Sequence, residues 1–153
     1  MNKFATIKMK LGEDLNIQPL AIAKYFYKRG VISHLVIQKL IYFSFLEGLR
    51  NDLFLFREKF QAWKYGPVLR SVFDAMTSSS SLDTLFAEIP SLRQKKVLAV
   101  LVKVYQENEA LEAWDLVEKS HHGPWQKARD ELPETEVSTQ EIALEELISF
   151  AKA

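Results

Sequence analysis

The run Ser33-His34-Leu35-Val36-Ile37-Gln38-Lys39-Leu40-Ile41-Tyr42-Phe43-Ser44-Phe45-Leu46-Glu47-Gly48-Leu49 decides the fold. Val36, Ile37, Leu40, Ile41, Phe43, Ser44 and Leu49 recur at helical spacing behind a serine suited to cap the first turn, and Gly48 stands near the exit. The apolar arc is so wide that little of this helix is left for solvent, which places it centrally. Lys39 is an awkward charge on such a helix. It must reach a carbonyl or carboxylate, or snorkel to the surface.

Outward from this helix the chain keeps a helical character. Pro19 after Asn16 suits a first helical turn, with Leu20, Ala23, Tyr25 and Phe26 on an apolar face that Gly30 closes. On the other side, residues 51–66 hold Leu53, Phe54, Phe56, Phe60, Ala62 and Trp63 without a clean period, which predicts an irregular, aromatic-rich connector with at most a turn of helix. Gly66-Pro67 punctuates it, Gly permitting a positive φ and Pro presetting a helix that carries Val68, Leu69, Val72, Phe73 and Met76. Ser78-Ser79-Ser80-Ser81 reads as a turn or mobile loop. Ser91 after Pro90 is expected to cap a helix with Val97, Leu98, Leu101 and Val104 inward and Lys95 and Lys96 wet. Leu111, Trp114 and Val117 mark a short helix ended by Gly123-Pro124, and Trp125 begins one more that Pro133 stops. Ser138 and Glu141 form a capping box for the last helix, with Ile142, Leu144, Leu147, Ile148 and Phe150 on its apolar face. The expected fold is all-α: a compact single-domain bundle of about six or seven helices over residues 17–153, with residues 1–16 as a tail free to move. Strands lack the Val/Ile/Thr alternation they need.

Composition bounds the function. The chain has 153 residues, 48% hydrophobic and 26% charged. A fold of this length buries about 68–70% of its unfolded surface, enough for a core without staples. With no cysteine there is no disulfide, no thiol nucleophile, no thiolate zinc site and no ordinary iron–sulfur cluster. No charge-free stretch approaches the roughly 18 residues of a membrane span, and Met1 to Lys10 interleaves lysines with apolar residues rather than forming a signal sequence. A cytoplasmic protein is expected. Its 20 basic and 20 acidic residues are unevenly placed: residues 1–76 carry 12 Lys and Arg against 6 Asp and Glu, the rest 8 against 14. The early cations are scattered among large apolar residues instead of forming a phosphate-binding stripe, so nucleic acid is not the expected partner. The acidic second half reads as solvated helix faces.

Catalytic signatures are missing from the sequence. There is no Gly-x-Ser-x-Gly, no Ser-x-x-Lys and no Gly-rich phosphate loop among five scattered glycines. His34, His121 and His122 are the whole imidazole supply. On a helix His121 and His122 would diverge by about 100°, and Glu118 with His122 makes half a site at most, so no metal and no cofactor is expected. Two aromatic clusters carry the information: Gln61-Ala62-Trp63-Lys64-Tyr65-Gly66-Pro67-Val68 and Ser120-His121-His122-Gly123-Pro124-Trp125. Such side chains suit a buried corner or a recognition surface.

These clusters, in this order, resemble the Panacea domain family, best known for SocA-like antitoxins, with phage-associated members called GepA-like. The resemblance covers about residues 17–150. The family's helix of Leu-Gln-Lys-Leu type ending in Tyr is similar to Gln38, Lys39, Leu40 and Tyr42. Its Ala-Trp-x-x-Gly-Pro-Val turn is similar to Ala62, Trp63, Gly66, Pro67 and Val68, and its Thr-His with a later Trp to Ser120, His121 and Trp125. Ser120 keeps the hydroxyl of the usual Thr, while Gln106-Glu107-Asn108 stands where a small-residue turn is often found. The resemblance implies an all-helical, non-enzymatic antitoxin that neutralises a toxin encoded beside it by direct binding, and family members accompany many unrelated toxins. Some members add a DNA-binding segment, for which residues 1–16 are too few. The residues it nominates for partner contact are Lys39, Tyr42, Trp63, Tyr65, Gly66, Pro67, Ser120, His121 and Trp125, provided the Trp63-Pro67 turn packs near His121 and Trp125. An alternative is that they only lock the connector onto the core. Other expectations are a phage- or mobile-element-associated adaptor without a toxin, and, from another class, a small hydrolase using His121 or His122 with a carboxylate.

Overall fold

The structure, a computed structural model, describes residues 11–153. Pro19 presets the first turn of α1 (Pro19–Tyr27), and the chain leaves it through Gly30 at φ +94°. Ser33 then does what its position predicts. Its Oγ accepts a 3.3 Å bond from the Val36 amide and starts α2 (His34–Arg50). Every residue from Ile37 to Leu49 is buried, so α2 is the axle around which the rest is wound. Against it pack α1, α3 (Arg70–Ser78), α5 (Lys95–Asn108), α6 (Ala113–Ser120) and α8 (Leu144–Lys152), while the short α4 (Leu82–Ala87) and α7 (Pro124–Arg129) complete eight helices among the described residues. The mainly all-α compact domain is as expected. No helix of the described residues is long and apolar enough to cross a membrane.

The connector differs from expectation. It holds no helical turn and contributes strands instead. Asp52 turns the chain at φ +58°, and β2 (Leu53–Phe54) runs parallel to β1 (Glu13–Asp14) in the register Glu13 with Leu53 and Asp14 with Phe54. Leu53 to Phe56 are four successive buried residues; in an extended segment their backbone groups can bond to a neighbour, here the amides of Leu15 and Ile17, which donate to the Phe54 and Leu55 carbonyls. Of the tail expected over residues 1–16, positions 1–10 lie outside the described residues, whereas Leu11 joins the core and Glu13–Asp14 form β1. Further on, β3 (Gln61–Trp63) and β4 (Gly66–Val68) form an antiparallel hairpin.

That hairpin also explains why the last helix starts late. The Ala62 amide donates to the Gln140 carbonyl at 2.7 Å, and the Ile142 amide to the Phe60 carbonyl at 2.8 Å. Residues 140–142 thus run beside β3 and seat Ile142 in the core. Ser138 and Glu141 cannot cap a helix from there; α8 begins at Leu144 with Ala143 before it, and Ser138 Oγ accepts from the Gln140 amide. Two other helix starts also differ from expectation. Val68 is in β4 and α3 begins at Arg70, while α5 begins at Lys95 with Gln94, not Ser91, before it. The serine run does form a turn, but its last member caps α4, Ser81 Oγ accepting from the Thr84 amide.

Apart from the Tyr42 hydroxyl, the polar side chains buried along α2 have hydrogen-bond partners. Glu47 is bonded by Lys103 at 2.6 Å and Arg50 at 3.2 Å; burial alone would raise its pKa, but these cations hold it below the usual value. Gln38 clamps the start of α3, its Nε2 donating to the Leu69 carbonyl at 3.0 Å and its Oε1 accepting from the Leu69 amide at 2.9 Å. Replacing Gln38 by Ala leaves the buried Leu69 amide unpaired, while the Leu69 carbonyl keeps its bond from the Phe73 amide, and we expect a loss of about 1–3 kcal/mol. Exposed Gln106→Ala should stay within about 0.5 kcal/mol of the parent. Urea denaturation of the two variants checks both values.

Candidate functional site

Gly66 opens β4 at φ +114°, where an L side chain is strained, and a Cβ there would stand 2.7 Å from Lys39 Cε and collide with Ser120 Oγ. Glycine is required twice over. Beneath it, Lys39 has 0% exposure and donates from Nζ to the Pro67 carbonyl at 3.0 Å. The awkward lysine of α2 has thus reached a carbonyl, and burial pushes its pKa down to about 7. Ser120, at the end of α6, turns its hydroxyl to the Val117 carbonyl at 2.8 Å. Three elements distant in sequence meet at one small residue.

The opposite side of the hairpin is fixed by α7. Gly123 enters that helix at φ +64°, and Trp125 Nε1 donates to the Trp63 carbonyl at 2.7 Å. His121 follows α6 and lies flat on Trp125, ring centroids 3.9 Å apart and planes within 4°. Burial lowers its pKa, opposed by the Glu134 carboxylate. Arg129 was not singled out by the sequence, yet it is a keystone. It is buried, donates to the Ala62 carbonyl at 3.2 Å and to the Pro133 and Glu136 carbonyls, and sets its guanidinium 4.8 Å from the Trp125 ring centre. The available signal was a basic residue one turn beyond Trp125 on the same short helix.

The Trp63-Pro67 turn and the His121-Trp125 cluster therefore do pack together. Of the nine nominated residues, Lys39, Trp63, Tyr65, Gly66, Pro67, Ser120, His121 and Trp125 converge here. Tyr42 does not: it packs edge-on against Phe60 at 5.2 Å and lines a separate hollow with Glu47 and Lys119. Its hydroxyl has no partner among the described residues, and burial raises its pKa. Exposure divides the set further. Lys39, Tyr42, Gly66, Pro67, Ser120 and Trp125 are buried, Trp63 and His121 are half-buried, and Tyr65 is 48% exposed.

Beside Tyr65 stands Trp114 of α6, 59% exposed, with ring centroids 6.3 Å apart. The sequence read Trp114 only as a mark of helical spacing; its surface position follows from Leu116 and Val117 taking the inward face. A hollow of about 500 Å³ between these rings is edged by Glu118, His121, His122 and Glu134. Among the described residues no three His, Asp or Glu side chains are grouped to hold a metal ion.

The family model described as antitoxin SocA-like, Panacea domain matches residues 37–126, from α2 to the first turn of α7, and the chain belongs to that family. Neither the curated proteins nor the solved structures contain a match.

Lys39 gives a pH test of this geometry. The unfolded lysine keeps its proton to about 10.5, whereas the folded one releases it near 7. Between those values the unfolded state binds more protons, so the cost of burying Lys39 is full below pH 7 and fades as pH rises. The stability advantage of Lys39→Met over the parent should shrink between pH 6 and about pH 10. Parallel urea titrations at both ends of that window measure the difference, in which titrations common to both proteins cancel.

Proposed function

We propose that the protein is a cytoplasmic antitoxin that neutralises a cognate toxin encoded nearby by direct protein–protein contact, with no reaction of its own. The family supports the antitoxin role. The observation that carries the contact is the exposed pair of Tyr65, on a hairpin anchored from below and behind, and Trp114 of α6. Trp and Tyr dominate interface energetics when they project from a well-packed base, because little conformational freedom is lost on binding. Tyr65, Trp114, Trp63 and His121 form the contact face in this proposal. Lys39, Gly66, Pro67, Ser120 and Trp125 serve it by holding the hairpin, and Tyr42 lies outside it.

The test is to express the neighbouring open reading frame under tight control, alone and with this chain, scoring growth and co-purification. We expect growth arrest that this protein relieves and a recoverable complex. A harmless neighbour that never co-purifies overturns the antitoxin proposal at this locus. Tyr65→Ala/Trp114→Ala should melt like the parent yet weaken the complex by about 2 kcal/mol or more. Trp63→Ala should also lower stability, because its ring packs on Phe73 at 4.8 Å and carries the Arg70 guanidinium. An aromatic double variant that binds and rescues like the parent places the contact elsewhere.

A further inference from the structure

On the other flank of the hairpin lies a second hollow, about 400 Å³, between the start of α2, α3 and residues 137–139. Its floor is apolar: Leu35, Trp63, Val68, Phe73 and the 79% exposed Val137. Apart from the Tyr65 phenol, its ionisable lining is of one kind. His34, Lys64 and Arg70 border it, and no acidic side chain does. These three basic groups rest on rings instead of carboxylates. The Arg70 guanidinium sits 5.1 Å from the Trp63 ring centre, Lys64 Nζ 5.4 Å from that of Tyr65, and His34 meets Phe73 edge-on at 5.5 Å. Among the described residues neither Lys64 nor Arg70 makes an ion pair. The nearby Glu58 carboxylate is taken up by the amide and hydroxyl of Ser71.

An apolar floor under an all-basic rim selects an occupant that is both apolar and anionic. Lys64 and Tyr65 border this hollow and the one beside Trp114 alike, so an occupant here would be continuous with the aromatic face. We propose that this groove receives an acidic segment of the partner protein, one large apolar side chain filling the hollow and flanking carboxylates meeting Arg70 and Lys64. The partner being a toxin rests on the antitoxin proposal; the chemistry of the groove does not.

Fluorescein-labelled heptapeptides test the groove directly by anisotropy on the full chain at low salt. One has a central Phe flanked by Asp, one the same Phe flanked by Lys, and one a central Ala flanked by Asp. The Asp-flanked Phe peptide should bind saturably and about tenfold or more tighter than the other two. Lys64→Glu/Arg70→Glu, whose side chains reach solvent, should still unfold in one cooperative transition, its midpoint lowered only slightly by the lost contacts with Trp63 and Tyr65, and should invert the charge preference. Absence of saturable binding by all three peptides overturns the proposal, as does equal binding of the Asp and Lys peptides. Phenylacetate binding as tightly as the Phe peptide would assign the groove to a small ligand instead. Self-association in sedimentation that the charge reversal abolishes would assign it to a second copy. Growth rescue reports on the antitoxin proposal separately, so either can fail while the other stands.

Discussion

A lysine with no exposed surface, bonded to the carbonyl of Pro67, is the constraint on which the hairpin depends. Removing an ammonium from water costs several kcal/mol unless it is well partnered, and burial has already drawn Lys39 close to neutrality. An apolar residue in its place would satisfy α2 as well or better, but it would offer nothing to a carbonyl that faces the helix. What Lys39 contributes is registry. Only when Pro67 stands over the second turn of α2 does Nζ find its acceptor, and only a glycine at 66 lets the strand come that close. Buried polar groups that specify one arrangement at some expense in stability are known elsewhere; here the arrangement specified is the seat of the β3–β4 turn.

The seat is reinforced from independent directions. Trp125 holds the Trp63 carbonyl and Arg129 the Ala62 carbonyl, so consecutive peptide groups of β3 are bonded to one helix. Residues 140–142 occupy the remaining edge of β3 and tie the hairpin to the approach to α8. Each such bond contributes about 0.5–1.5 kcal/mol net, which would not by itself order a hairpin of two three-residue strands. Distributed around all sides of it, they leave the turn no low-energy alternative position. The exposed Tyr65 ring at the tip is then held in one geometry, which for the proposed contact means that most of the ordering cost is already met by folding.

Much of this was legible in the sequence, and the boundary of legibility has a physical cause. The α2 core helix, its Ser33 cap, the Pro19 start and the positive φ at Gly66 are local, each fixed by spacing or backbone sterics within a few residues. The meeting of the Trp63-Pro67 turn with Trp125 and His121 entered only as a condition, because nothing local fixes how two clusters so far apart in sequence pack. The strands were not, since two- or three-residue strands carry no period to read. Ser138 and Ser91 have the chemistry of caps, but the pairing of residues 140–142 with β3 outbids a local capping bond in the first case. No comparable interaction explains why α5 waits until Lys95. Arg129 was missed because its partners are three main-chain carbonyls, which no side-chain pattern announces.

The partition between buried and exposed residues bears on the proposed contact. Lys39, Gly66, Ser120, Trp125 and Arg129 are mutually constraining: a Cβ at 66 displaces Lys39, and loss of the Trp125 ring removes both the Trp63 bond and the surface on which His121 lies. Changing any one costs the arrangement of the others, as expected of residues in one network. Tyr65, Trp114, Lys64 and Arg70 sit on that network without supporting it, and surface changes of this kind usually alter stability by less than about 0.5 kcal/mol. Under the two proposals, affinity and charge preference would therefore change with substitutions at the tip and in the groove while the scaffold beneath is left intact. In the proposed contact, aiming and contacting thus fall to different residues, so that the face could change while the fold does not.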